Sequence, residues 1–160
     1  LQNDLVDKIQ NILEEVSIPS KCLELEITES MMMYDIDSAS YILKRLKKLG
    51  VHITIDDFGK GYSSLQYLQK LPLDTLKIDR AFICDIDSNP SSSALTNAIT
   101  NLAHALDMKV IAEGVETLGQ LQQVQLLKCD WVQGFYYSKP LSPEDADKYI
   151  HNYKGVINYV

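Results

Sequence analysis

The feature that most narrows what this chain can become is a regular alternation of short β-branched runs with helix-period segments. Leu5, Ile9, Ile12, Leu13 and Val16 share one helical face, which stops before Pro19. Residues 22–27 read as a strand, and Ala39, Ile42, Leu43, Leu46 and Leu49 make a second stripe closed by Gly50. Residues 51–55 are β-branched and apolar, and Asp56-Asp57-Phe58-Gly59 follows at once; 62–70 suit a short helix with Leu65 and Leu68 inward. The pattern then repeats. Residues 76–78 form a strand, 85–93 a polar loop around Pro90 whose serines cap the next helix, and Leu95, Ala98, Ile99, Leu102 and Leu106 share its face. Strands at 109–112 and 131–137 flank a helix opened by the capping-box pair Thr117 and Gln120, and Ser142-Pro143-Glu144-Asp145 starts a last helix.

Strands and helices alternating at this spacing predict an α/β fold, a parallel sheet with crossover helices. Two architectures compete: an open doubly wound sheet and a (β/α)8 TIM-type barrel. A full barrel takes about 250 residues, whereas this chain has 160 and five candidate strands. If the fold is a barrel, the expectation is an incomplete one: about the last five strands with their helices.

Composition excludes several classes. With 46% hydrophobic and 23% charged residues the chain is neither disordered nor low-complexity. No apolar run approaches the roughly 18 residues of a membrane span, and no secretory leader is visible. Fifteen basic against 22 acidic residues give a net charge of -7, which argues against a nucleic-acid polymer as partner. A phosphate substrate stays open if divalent cations stand between carboxylate and phosphate. Cys22, Cys84 and Cys129 have neither disulfide nor zinc-site spacing and suit a reducing cytoplasm.

Polar residues cluster at one recurring place, the carboxyl end of each strand. Glu26-Ile27-Thr28-Glu29 ends the first, Asp56-Asp57 the second, and Lys77 and Asp79 mark the third. Glu113-Gly114-Val115-Glu116 ends the fourth, and Gln133-Gly134 belongs to the last. That end is the active face in either architecture. Acidic groups converging there would repel unless cations sat among them, and oxygen ligands without neighbouring His or Cys favour Mg2+, Mn2+ or Ca2+. Each cluster taken singly has a duller reading. Asp56-Asp57-Phe58-Gly59 suits a turn, Glu26 a solvated strand position, and Glu113-Gly114 a strand end. His52, His104 and His151 lie too far apart to suggest ligands. Four acidic strand ends coinciding favour the functional reading.

Glu26-Ile27-Thr28-Glu29-Ser30 and Asp56-Asp57-Phe58-Gly59-Lys60-Gly61-Tyr62-Ser63-Ser64-Leu65 resemble motifs of the EAL-domain cyclic-di-GMP phosphodiesterases. Leu76-Lys77-Ile78-Asp79-Arg80, Ala112-Glu113-Gly114-Val115-Glu116-Thr117 and Gln133-Gly134-Phe135-Tyr136 continue the match in family order. The resemblance implies a (β/α)8-type barrel that hydrolyses cyclic di-GMP to pGpG with two Mg2+ or Mn2+ ions. It implies that Glu26, Asp56, Asp57 and Glu113 are metal ligands, that Lys77 stands beside the attacking water, and that Gln133 and Asp79 support the site. Glu29 would anchor the loop over 58–64, and Glu116 would lie near the second metal. Lys60 departs from the small or Thr residue usual in that loop.

The family's Glu-Ala-Leu segment and a following asparagine ligand have no match here. The expectation is therefore that residues 1–160 are a partial EAL domain lacking its first strands, and that this chain alone hydrolyses little or nothing. A non-catalytic cyclic-di-GMP-binding or interaction module is the alternative, and a metal enzyme for another phosphodiester is a weaker one. An incomplete barrel is expected to leave open strand edges and an apolar lumen, favouring a homodimer or higher oligomer. The segment is expected to be cytoplasmic with no membrane contact of its own, within a parent that could be anchored.

Overall fold

The computed structural model describes residues 4–28, 35–59 and 68–152. Its elements run α1 (Leu5–Val16), a 3-10 turn (Ser20–Cys22), β1 (Glu24–Thr28), α2 (Ile36–Leu49), β2 (His52–Phe58) and β3 (Thr75–Ile78). They continue with α3 (Arg80–Ile83), α4 (Pro90–Ala105), β4 (Lys109–Glu113), α5 (Leu118–Leu126), β5 (Trp131–Gln133) and α6 (Pro143–Asn152). The expected helix over 62–70 lies mostly outside the described residues; Leu68, at its end, is buried.

All five strands are parallel and pair in the order β1-β2-β3-β4-β5. A doubly wound sheet would reverse its order at a switch point. The order here never reverses, so the sheet is an arc of a TIM-type barrel, and the barrel is incomplete among the described residues.

Right-handed crossovers in a monotonic sheet place every connecting helix on one face. That face is apolar: Ile27, Ile53, Ile55, Leu76, Ile78, Val110 and Ala112 are buried with Ile42, Leu43 and Leu46 of α2. The alternate positions, set in rows by the registers Glu26↔Thr54, Thr54↔Thr75, Lys77↔Ile111 and Glu113↔Gln133, face the barrel axis. They correct the expectation of an apolar lumen. Apart from Ile111 and Trp131 this surface is polar, and Thr54 donates to Glu24 while His52 bonds Thr75 Oγ1 at 3.1 Å. In the run 51–55 the polar His52 and Thr54 alternate with Val51, Ile53 and Ile55, so only one face of the strand is apolar.

Two aspartates lock the amino ends of the strands. Asp74, just before β3, accepts the Ile53 amide at 2.8 Å and pairs with Lys47 at 2.6 Å. Asp130, just before β5, accepts the Val110 amide at 2.9 Å and pairs with Lys109 at 2.7 Å and His104 at 2.8 Å. These bonds account for His52 and His104 structurally.

Helix α4 departs from expectation twice. It starts at Pro90 with Asn89 as its cap, so Ser91, Ser92 and Ser93 lie in its first turn instead of capping it. Its buried positions are Ser92, Thr96, Thr100 and Ala103, whereas Leu95 is exposed. Small side chains let the helix approach the sheet closely, and Ile99, Leu102 and Leu106 pack at the margin. No helix among the described residues is long and apolar enough to cross a membrane.

Candidate functional site

Lys77 organises the carboxyl rim. As the third residue of β3 it points into the lumen between β2 and β4, and it is only 4% exposed. Its Nζ lies 2.8 Å from Glu26 Oε1 of β1, 2.7 Å from Glu113 Oε1 of β4 and 3.4 Å from Asp56 Oδ1 of β2. Three of the four acidic strand ends thus meet at one ammonium. Burial opposes that charge, but the bonds that Lys77 donates to Glu113 and Glu26 and the field of Glu113 and Asp56 outweigh it, holding the Lys77 pKa above the ordinary lysine value.

Glu113 moves the other way for a carboxylate. Burial lifts its pKa above the ordinary value, Lys77 pulls it down, and the charges of Asp56 and Glu26 push it further up. Three carboxylates around one ammonium leave negative charge in excess, and Glu113, more enclosed than Glu26, bears the cost.

A bulge falls at Asp57, next to the rim residue Asp56. Ile55 pairs with Leu76 and Phe58 with Ile78, so β2 carries one residue more than β3 across that stretch. The irregular residue is Asp57 itself, at φ 57°, a left-handed conformation that Asp tolerates better than most residues. Its amide donates to Asp56 Oδ1 at 2.9 Å. The strand thus bends between the two adjacent aspartates and the strand end, and Gly59 at φ 104° completes the turn.

The remaining predicted residues take separate places. Asp79 is buried and caps α3, accepting the Ala81 amide at 2.9 Å. Glu116 pairs with Arg80 at 3.2 Å. Gln133 sits opposite Glu113 in the register, exposed on the wall of a cleft of about 420 Å3 that Glu113, Glu116 and Arg80 also line. Glu29 and residues 60–64 lie outside the described residues.

Sequence reasoning passed over Gln120 as anything more than a cap. Its Oε1 accepts the Glu116 amide at 2.7 Å and the Thr117 amide at 3.0 Å, and its Nε2 donates to Cys84 O at 2.9 Å. It ties the loop carrying Glu116 to the segment after α3. The capping-box spacing was the visible signal; the tertiary bond to Cys84 had none.

The donor set suits a hard divalent cation: carboxylate oxygens, excess negative charge and no nearby His or Cys. Among the described residues no three acidic, His or Cys side chains are disposed for a metal by themselves; the cation they share is the Lys77 ammonium.

Fold and rim define an α/β barrel with an acidic carboxyl-end site. The family model described as "EAL domain" matches residues 1–140, and the chain belongs to that family. It is 45% identical over 150 residues to the cyclic di-GMP phosphodiesterase NbdA of Pseudomonas aeruginosa, covering 94% of this chain and 19% of that protein. Over 140 residues it is 44% identical to MucR of the same organism, a bifunctional diguanylate cyclase/cyclic di-GMP phosphodiesterase, covering 88% of this chain and 20% of that one. The chain spans about a fifth of the length of these curated relatives. Among solved structures, the MucR phosphodiesterase in complex with c-di-GMP superposes with a TM-score of 0.86 at 43% identity, covering 91% of this chain and 59% of that one. BlrP1 of Klebsiella pneumoniae, in a manganese/cy-diGMP complex, gives 0.81 at 30% identity, covering 87% and 36%.

Proposed function

We propose that this chain is part of a cyclic-di-GMP phosphodiesterase domain, in which Glu26, Asp56, Asp57 and Glu113 hold two Mg2+ or Mn2+ ions and Lys77 stands beside the attacking water. The observation that carries the reading is the convergence of Glu26, Asp56 and Glu113, from β1, β2 and β4, on the Lys77 ammonium of β3. When bound, such a pair of ions lowers the pKa of water and offsets the negative charge that grows on phosphorus. Lys77, held cationic by its three partners, places fixed positive charge where a phosphate oxygen gains negative charge. Glu113 and Asp56 are enclosed enough to be oriented before substrate arrives. Asp79, by capping α3, and Gln120, by fixing the Glu116 loop, hold the surrounding rim. The product is pGpG, from cleavage of one of two phosphodiester bonds. Residues 1–160 are read as a partial domain without the Glu-Ala-Leu segment, so this chain alone is expected to turn over little.

The test incubates the full-length gene product and the 160-residue chain with cyclic di-GMP and Mn2+ and follows pGpG by chromatography. Rapid conversion by the former and slow conversion by the latter is expected. Full-length protein that binds cyclic di-GMP but leaves it intact would select the non-catalytic module instead. Hydrolysis by the chain at the full-length rate would overturn the partial-domain reading.

A further inference from the structure

The cleft beside the carboxylate rim contains cations that the proposed chemistry leaves unused. It opens from Glu113, so one wall belongs to the site of hydrolysis, and Arg80 and Lys139 line it further out. Its volume of about 420 Å3 falls within the roughly 300–1,000 Å3 of small-molecule sites.

Arg80 is held in place. Its stem lies across Gly114, at φ 73°, where an added Cβ would meet Arg80 Cγ at 2.5 Å. Its guanidinium rests on Glu116 at 3.2 Å while its side chain stays 64% exposed. One carboxylate cannot use all five of its N–H donors, so donors remain for a ligand. Lys139 is exposed on the same cleft and forms no ion pair among the described residues.

A cyclic dinucleotide carries two phosphodiester charges on one small ring. Only one can be at the reacting centre. The other lies a ring's width away, beside a rim whose surplus charge is negative, and is repelled unless a cation meets it. We infer that Arg80 and Lys139 clamp the second, non-reacting phosphodiester of the cyclic dinucleotide in this cleft. Arg80 supplies the preset geometry and Lys139 an unclaimed charge. The inference rests on the cyclic-di-GMP reading and adds how the ring form is told from a single diester.

The test is calorimetric titration of the full-length gene product in Ca2+ with cyclic di-GMP and, separately, with linear GpG, which has only one phosphodiester. Lys139→Glu and Arg80→Ala are compared with Lys148→Glu, a charge reversal on exposed α6 outside the cleft. The clamp predicts that both cleft variants weaken cyclic di-GMP by about tenfold or more, leave GpG within about twofold, and that Lys148→Glu changes neither. Equal loss of both ligands, or loss with Lys148→Glu as well, would mean general attraction and overturn the clamp. Unchanged cyclic-di-GMP binding in both cleft variants overturns it too, with the cyclic-di-GMP reading intact. If the unsubstituted protein binds no cyclic di-GMP, that reading falls and takes the clamp with it.

Discussion

At the scale of single residues, two charged groups dominate, at opposite ends of the strands. Lys77 has a raised pKa, so its contribution to stability is fully present below the ordinary lysine value of 10.5 and is lost only as pH rises through the higher folded value. Glu113 has the contrary sign: its raised pKa costs stability above the ordinary value of 4.5. Lys77→Met removes the shared cation and leaves three facing carboxylates. In chelator-treated buffer this should cost on the order of 3 kcal/mol at neutral pH. It should also raise the Glu113 pKa further, so that part of the loss is regained on mild acidification. Urea midpoints measured across that range check it, and a variant whose deficit is independent of pH contradicts it. Asp130 is the plainer case. Burial raises its pKa, but bonds from Lys109, His104 and the Val110 amide prevail and depress it below 3.8. Its contribution is therefore present above that value and lost as pH falls through the folded one. Asp130→Asn is expected to lower stability by about 1–3 kcal/mol at neutral pH, with the difference from the parent shrinking in strong acid. A difference that grows on acidification would show the sign to be wrong.

At the scale of elements, strands and stops were legible and orientation was not. The Gly50 stop, the Thr117/Gln120 box and the central strands fall where expected, because each is a local preference of backbone or cap. The first strand, by contrast, starts only at Glu24, after a 3-10 turn, and the last ends at Gln133 instead of running on to 137. The rim was legible too, since a strand's carboxyl end follows from direction alone: Glu26, Asp56, Lys77 and Glu113 meet. Three things were hidden for physical reasons. The bulge at Asp57 depends on pairing with β3, which no local window contains. The four-residue helix α3 follows directly on β3 and is too short to show a period. The face of α4 was misjudged because Thr96 and Thr100 count as polar in a pattern yet pack as small side chains against the sheet. Thr100 Oγ1 bonds back to Thr96 O at 2.9 Å, whereas the buried Thr96 Oγ1 has no hydrogen-bond partner among the described residues. Thr96→Val, similar in shape, should therefore be neutral or stabilising by up to about 1 kcal/mol in thermal unfolding. A clear loss would mean that the hydroxyl is satisfied after all.

At the scale of the whole molecule, the arc presents a polar inner surface and two strands, β1 and β5, paired on one side only among the described residues. Such edges offer rows of unpaired N–H and C=O groups to another chain. Since the inner surface is polar, association by burying an apolar lumen is disfavoured, and the edges become the expected contacts. The two differ: β1 carries Glu24 and Glu26, whose charge resists a second copy of an acidic chain, whereas β5 contains exposed Trp131 and is followed by exposed Phe135, Tyr136 and Tyr137. Association of the 160-residue chain should therefore run through β5. The net charge of -7 opposes any self-contact at low ionic strength, and salt screens that repulsion within about 10 Å at 0.1 M. Light scattering should thus show dimers or larger species whose share rises from low to moderate salt. Trp131→Lys, which puts a charge on that edge, should shift them toward monomer without lowering the unfolding midpoint, because Trp131 is already 48% exposed. A monomer at high concentration and moderate salt would remove the edge-pairing account, and dimers insensitive to Trp131→Lys would move the contact elsewhere on the surface.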